Sequence, residues 1–117
     1  MHILVVDDEP FVMEEMKELL EQVAPQAEIE CFSSPQKALA RAKETEFQVA
    51  FLDIEMGVEN GINLGKTLKV MYPQINIIFV TGYSEFMMDA FSLDASGYLM
   101  KPATADQIRH ALDNLRY

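Results

Sequence analysis

Long apolar runs are missing from this sequence: none approaches the roughly 18 to 20 residues that cross a bilayer. No basic-then-apolar leader precedes the first apolar segment, which begins at His2, so a cytoplasmic protein without membrane contact is expected. Cys31 is the only cysteine. It excludes an internal disulfide, fits a reducing compartment and reads as a small buried hydrophobe. Positive charge is also scarce: 9 lysines and arginines face 19 aspartates and glutamates, for a formal charge of −10. Such a surface repels a nucleic-acid backbone, so this chain by itself is not expected to bind DNA or RNA. Low-complexity tracts and linkers are absent too, and 117 residues suit a single domain over 1–117 with one sizeable core.

What is present is an alternation of short apolar runs with longer amphipathic ones, five times over. Strands are expected at 2–6, 28–32, 49–52, 76–80 and 97–100. Four are nearly continuous in apolar residues, as parallel strands covered on both faces are. The second interleaves Glu28 and Glu30 with Ile29 and Cys31 and belongs at a sheet edge. Helix signals fill the intervals. Val12, Met16, Leu19, Leu20 and Val23 recur at helical spacing behind Pro10. Ser34 is a candidate N-cap before Pro35, and Leu64, Leu68 and Met71 form one stripe that ends at Tyr72 and Pro73. Thr104 and Gln107 have capping-box spacing ahead of Ile108, Ala111, Leu112 and Leu115. In the segment 84–93, Phe86, Met87, Met88, Ala90 and Phe91 cover more than one stripe. Packing onto the sheet is the reading taken for them, with exposure to a partner as the alternative. Met16, Met71 and Met100 are assigned to the core.

A βα repeat of this kind folds as an α/β doubly wound parallel sheet, with ligands beyond the carboxyl ends of the strands. Asp7, Asp8 and Glu9 follow the first strand, Asp53 the third, Thr81 and Gly82 the fourth, and Lys101 and Pro102 the fifth. Carboxylates gathered on one rim either raise a pKa or hold a hard cation, and Mg²⁺ suits oxygen ligands that leave room for water. A carboxylate left partly free can attack a phosphoryl group, with the cation and a lysine offsetting charge on its oxygens. Each feature alone has an ordinary structural explanation: an Asp pair caps a helix, and a threonine fills a turn. Their joint occurrence after four separate strands is what carries the chemistry. His2 reads as a strand-start residue and His110 as an exposed helical one.

The set Asp7-Asp8-Glu9, Asp53-Ile54-Glu55-Met56 with Gly61 beyond it, Thr81-Gly82 and Lys101-Pro102 resembles the response-regulator receiver family of two-component signalling across essentially the whole chain. The resemblance implies a five-stranded, flavodoxin-like (βα)5 sheet of order 2-1-3-4-5. It implies Asp53 as phosphoacceptor, Asp7, Asp8 and Asp53 as Mg²⁺ ligands with the Glu55 backbone carbonyl, and Lys101 as the contact to phosphoryl oxygens. Thr81 and Tyr98 become the switch pair, and the bond preceding Pro102 is expected to be cis. The partners implied are a sensor histidine kinase and a second copy of the chain meeting through the fourth helix, fifth strand and fifth helix. The segment 84–91, followed by 97–102, is most similar to receivers of LytTR-type transcriptional regulators. On that reading DNA is bound only by a C-terminal domain outside this chain. One departure is Gly57, where the family commonly has proline; the loop 57–60 is expected to be more mobile than usual. Glu55 and Tyr83 border the path of an attacking water and are expected to influence the phosphoryl lifetime.

Three other readings compete. A stand-alone receiver would act through protein binding alone. A small Mg²⁺-dependent aspartyl phosphohydrolase would need an alternating acid pattern after the first strand and a cap segment, and neither is present. A flavodoxin-type flavin carrier would need a loop rich in Ser, Thr and Gly where three acids stand.

Overall fold

The computed structural model describes residues 1–57 and 59–117. In chain order the elements are β1 (His2–Val6), α1 (Pro10–Val23), β2 (Glu28–Phe32), α2 (Pro35–Glu44), β3 (Val49–Leu52), β4 (Glu55–Met56) and β5 (Glu59–Asn60). There follow α3 (Gly61–Met71), β6 (Asn76–Thr81), α4 (Met87–Ser92), β7 (Gly97–Met100) and α5 (Ala105–Asp113). Five strands make one parallel sheet of order β2-β1-β3-β6-β7, which is the expected 2-1-3-4-5 once the short antiparallel β4–β5 pair is set aside. As expected, the polar β2 lies at an edge.

Side chains of a strand alternate between faces, and here each face carries its own core. Leu4, Val6, Ala50, Leu52, Ile77 and Phe79 pack toward α2, α3 and α4, with Ala42, Leu68 and Ala90 opposite them. Ile3, Val5, Val49, Phe51, Ile78 and Val80 pack toward α1 and α5, against Met16, Leu20, Ile108 and Ala111. Burying each large side chain contributes about 1.5–3 kcal/mol, so the two layers supply most of the driving force for folding. Capping works as the sequence suggests. Ser34 Oγ accepts from the Lys37 N–H, and Thr104 and Gln107 form a reciprocal capping box. Asn60, which the stripe in α3 did not reveal, caps that helix by accepting from the Ile62 N–H at 2.7 Å.

The expectations for the segment 84–93, Met100 and Cys31 need correction. The segment 84–93 yields only the six-residue α4, which buries Ala90 alone; Leu93 just after it is buried too, and Phe86 just before it packs on the core from outside. Met88 and Phe91 stand 76% and 65% exposed, so the partner alternative describes them better than packing does. Met100 is 40% exposed, because β7 is the other edge strand and lacks a full cover on either side. Cys31 is half-buried on edge strand β2, where burial still pushes its thiol pKa up. Gly57 has φ 65, which glycine adopts without strain, and the residues flanking the turn pair as β4 and β5. The loop expectation for 57–60 also covered Val58, which lies outside the described residues. Among the described residues no helix is long and apolar enough to cross a membrane.

Candidate functional site

Register brings the acidic residues together. Val6 of β1 is paired with Leu52 of β3, so the next residues, Asp7 and Asp53, leave adjacent strands side by side. The backbone ladder continues one step further: the Asp53 N–H donates to the Val6 carbonyl at 3.0 Å, and the Lys101 N–H to the Thr81 carbonyl at 2.8 Å. Asp7, Asp53 and Thr81 are buried, whereas Asp8 is exposed at the rim. One carboxylate oxygen from each of Asp7, Asp8 and Asp53 falls within 4.8 Å of the others.

Lys101 reaches over this cluster. Its Nζ lies 2.9 Å from Asp7 Oδ2 and 3.4 Å from Asp53 Oδ2. The Lys101–Pro102 peptide bond is cis. The other oxygens of the two buried acids are held by backbone donors. The Ile54 N–H donates to Asp53 Oδ1 at 2.9 Å, and the Glu9 N–H to Asp7 Oδ1 at 2.9 Å. Sequence pattern offers no signal for these two amides, because any residue type supplies them. Burial, and after it the negative charge of Asp7, push Asp53 up to about 6, with Lys101 acting in the opposite direction. For Lys101 burial acts downward but is outweighed by its bonds to Asp7 and Asp53, and its pKa is raised.

Above the cluster opens a cleft of about 380 Å³ lined by Glu9, Asp53, Glu55, Gly82, Tyr83 and Lys101. Three clustered carboxylates, one of them resisting ionisation, form a donor set that fits a hard dication such as Mg²⁺ and its waters. Gly61, the first residue of α3, lies against the Asp53 backbone. A Cβ there would sit 1.8 Å from the Asp53 carbonyl oxygen, so only glycine lets α3 approach the Asp53 backbone this closely. Its N–H bonds the Ile54 carbonyl at 2.7 Å.

Among the described residues Thr81 and Tyr98 make no side-chain hydrogen bond to the acids, but both bond to Tyr83. Thr81 Oγ1 accepts from the Tyr83 N–H at 3.2 Å, and the Tyr98 hydroxyl donates to the Tyr83 carbonyl. The Tyr98 ring leans on Phe79, 6.3 Å away between centroids, and burial pushes its hydroxyl pKa up. Tyr83 meets Phe86 edge-on at 6.5 Å, just ahead of α4. The place of Tyr83 two residues past Thr81 marks it in the sequence as a neighbour of the water path; its backbone role between Thr81 and Tyr98 emerges only from the fold.

Residues 3–113 match the response regulator receiver domain family. The chain is 32% identical over 117 residues to the sensory transduction protein LytR of Staphylococcus haemolyticus, covering 100% of this chain and 46% of that protein. It is 31% identical over 112 residues to the sensory transduction protein LytT of Bacillus subtilis, covering 96% of this chain and 46% of that one. The similarity to receivers of LytTR-type regulators is thereby borne out, and the chain spans about half the length of these relatives. Among solved structures, the response regulatory domain of protein mrkE from Klebsiella pneumoniae superposes with a TM-score of 0.89 at 27% identity, covering 98% of this chain and 94% of that one. A response regulator receiver domain protein from Clostridium thermocellum gives 0.87 at 29% identity, covering 97% and 91%.

Proposed function

Since the chain belongs to the response regulator receiver domain family, we propose that it acts as one receiver unit whose Asp53 accepts a phosphoryl group from the phosphohistidine of a sensor histidine kinase. An Asp53 carboxylate oxygen attacks phosphorus, the P–N bond breaks, and the imidazole leaves with the electron pair and takes up a proton. The observation that carries this reading is the Lys101 ammonium bridging Asp7 and Asp53 beside an acid cluster that opens to the cleft.

In this mechanism Ile54 fixes the Asp53 carboxylate through its N–H, so the nucleophile needs no reorganisation before attack. Asp7, Asp8, Asp53 and the Glu55 carbonyl would hold Mg²⁺, which when bound offsets charge on the phosphoryl oxygens. Lys101 offsets the rest from the other side. Once phosphorylated, Asp53 presents oxygens that compete for the Thr81 hydroxyl. Its departure leaves the Tyr83 N–H unpaired, the loop ahead of α4 relaxes, and Tyr98 loses its seat on the Tyr83 carbonyl. The surface of α4, β7 and α5, with Met87, Met88, Phe91 and Met100 exposed, then changes shape and meets a second copy of the chain. Glu55 and Tyr83 flank the cleft and set how long the acyl phosphate survives water.

The names of the relatives support a role in gene regulation: LytR of Staphylococcus aureus is a transcriptional regulatory protein, 31% identical over 116 residues. On that reading DNA contact belongs to the part of the regulator outside this chain, in the cytoplasm, and the chain is a phosphoacceptor and not an enzyme with a separate substrate. Intact mass after incubation with acetyl phosphate tests the core of the proposal. Wild type should gain one phosphoryl group only when Mg²⁺ is present, and Asp53→Asn should gain none. Equal labelling of the variant, or rapid multiple turnover of a phosphoester, would overturn it in favour of another acceptor or a phosphohydrolase.

A further inference from the structure

At the end of the sheet opposite the acids, the last residues cross from one face to the other. Leu115, just past α5, is partly buried and packs against the core on the α1 and α5 side. Arg116 and Tyr117 then reach the turn between α4 and β7. Arg116 Nη1 lies 2.8 Å from Asp94 Oδ1, and Arg116 Nε donates to the Ala95 carbonyl at 3.2 Å. The Tyr117 hydroxyl donates to Asp94 Oδ2, and Lys69 Nζ at the end of α3 sits 4.5 Å from the centre of the Tyr117 ring.

The backbone of Tyr117 is held as firmly. Asn76 at the start of β6 is 2% exposed. Its Oδ1 accepts from the Tyr117 N–H at 3.0 Å and from Ser96 Oγ at 2.8 Å. Its Nδ2 donates to the Gln48 carbonyl at 3.1 Å and to the Tyr117 carbonyl at 3.2 Å. Both amide hydrogens and both lone pairs of a buried side chain are thus used, and half of that capacity goes to Tyr117. Release of Tyr117 would leave these groups unpaired, which is costly in a buried site.

Asp94 has φ 64, a conformation that Asp and Asn accept more readily than most residues. It is tied to α4, since its N–H donates to the Phe91 carbonyl at 3.0 Å, and the Ala95 N–H to the Ala90 carbonyl at 3.1 Å. α4 itself is six residues long, has no side-chain cap and buries one side chain. Its position therefore depends on what grips its two ends: Tyr83 and Phe86 in front, Asp94 and Ala95 behind.

We propose that Arg116 and Tyr117 form a strap that ties the exit of α5 to the turn after α4 and sets the resting position of α4. The strap is seated in the arrangement described, and moving α4 must either drag it or release it. Coupling of this kind is reciprocal, so freeing the strap frees α4. The consequence for signalling rests on the phosphoacceptor reading; the strap itself does not.

Hydrogen exchange on the metal-free chain tests it. In an Arg116→Ala, Tyr117→Phe double variant the amides of 90–95 should exchange about tenfold faster, with α1 and β3 unchanged. Asp94→Asn, which keeps a residue tolerant of the left-handed region, should do the same from the other end. Wild-type exchange at 90–95 in either variant, with only the strap's own amides faster, would overturn the proposal. The second measurement is the affinity for beryllofluoride with Mg²⁺, a phosphoryl mimic at Asp53. If activation moves α4, the variants should bind it up to about tenfold more tightly. Wild type that binds no beryllofluoride would defeat the phosphoacceptor reading while leaving the exchange result standing. Tight binding that is identical in all variants would defeat the link between the strap and activation, and the exchange rates at 90–95 alone decide the strap's hold on α4.

Discussion

Replacing Asp53 by asparagine should make the metal-free protein more stable at pH 8, and the acid cluster says by how much. Asp53 is held at about 6 against an ordinary value of 3.8, first by burial and then by the charge of Asp7. A carboxyl raised in the folded state keeps its proton between these two values while the unfolded chain has lost it. Stability therefore falls as pH rises through that window, and above about 6 the full cost is carried. At 1.36 kcal/mol per pKa unit the cost is about 3 kcal/mol. Asparagine is neutral and nearly isosteric, keeps an acceptor for the Ile54 N–H, and leaves Lys101 its closer contact to Asp7 at 2.9 Å. The value of about 6 already includes the opposing pull of Lys101, but an asparagine that keeps its oxygen on the Ile54 N–H turns its NH2 toward the Lys101 ammonium, 3.4 Å from the oxygen it replaces, so about 1–3 kcal/mol should remain at pH 8, or roughly 4–12 °C in Tm. Urea melts in chelator at pH 8 and at pH 3.5 are the assay. The gain should shrink toward zero at the lower pH, where Asp53 is protonated in the folded state and mostly protonated in the unfolded one. Added Mg²⁺ should raise the stability of wild type, by about 2.7 kcal/mol at a hundredfold excess over its Kd, and do much less for the variant. A variant less stable than wild type at pH 8, or a gain that is the same at both pH values, would refute the reasoning.

Gly61→Ala should cost at least about 3 kcal/mol in denaturant melts, because its Cβ would meet the Asp53 carbonyl oxygen at 1.8 Å and backbone cannot step aside as a side chain can. The same variant should phosphorylate poorly even where it folds, since relief of the clash displaces Asp53. Thr104→Ala removes the acceptor of the Gln107 N–H and opens the capping box of α5, for a loss of about 1 kcal/mol by thermal unfolding with Asp53 labelling unchanged.

Most of the sheet was legible because its strands are short, apolar and punctuated by acids or turn residues. Four of the five observed strands coincide with the expected bounds, and the fourth runs one residue longer, through Thr81. The edge position of β2 followed from Glu28 and Glu30, where a buried strand would have no partners for them; Glu30 does find partners in Arg41 and His2. Residues at strand ends are legible for a related reason. Parallel register carries whatever follows each strand to the same rim, so Asp7, Asp53, Thr81 and Lys101 needed only their place in sequence. Met100 misled because an apolar residue in a strand says nothing about whether that strand has a neighbour on both sides. The contacts of Arg116 and Tyr117 were invisible for the opposite reason: they join Asn76, Asp94 and Lys69 across the fold, and no local pattern marks them.

The weak anchoring of α4 bears on how a phosphoryl group on Asp53 can be felt at a distance. In the proposed mechanism the first step asks little of the protein. Turning the Thr81 hydroxyl away from the Tyr83 N–H gives up one neutral hydrogen bond, about 0.5–1.5 kcal/mol, whereas a bond to a charged phosphoryl oxygen is worth about 1.5–3. The exchange is favourable without any movement of β6, whose core side chains Ile77, Ile78 and Phe79 are fully buried and could not shift cheaply. What must give way is the element that Tyr83 steadies. A helix anchored like α3, with Ile62, Leu64 and Leu68 buried, would resist about 1 kcal/mol of persuasion. α4 buries Ala90 alone, so an energy of that size is enough to redistribute its positions. The exposed Met88 and Phe91 follow from the same economy of anchoring: side chains that do not hold the helix to the sheet are free to present a surface that changes when the helix moves.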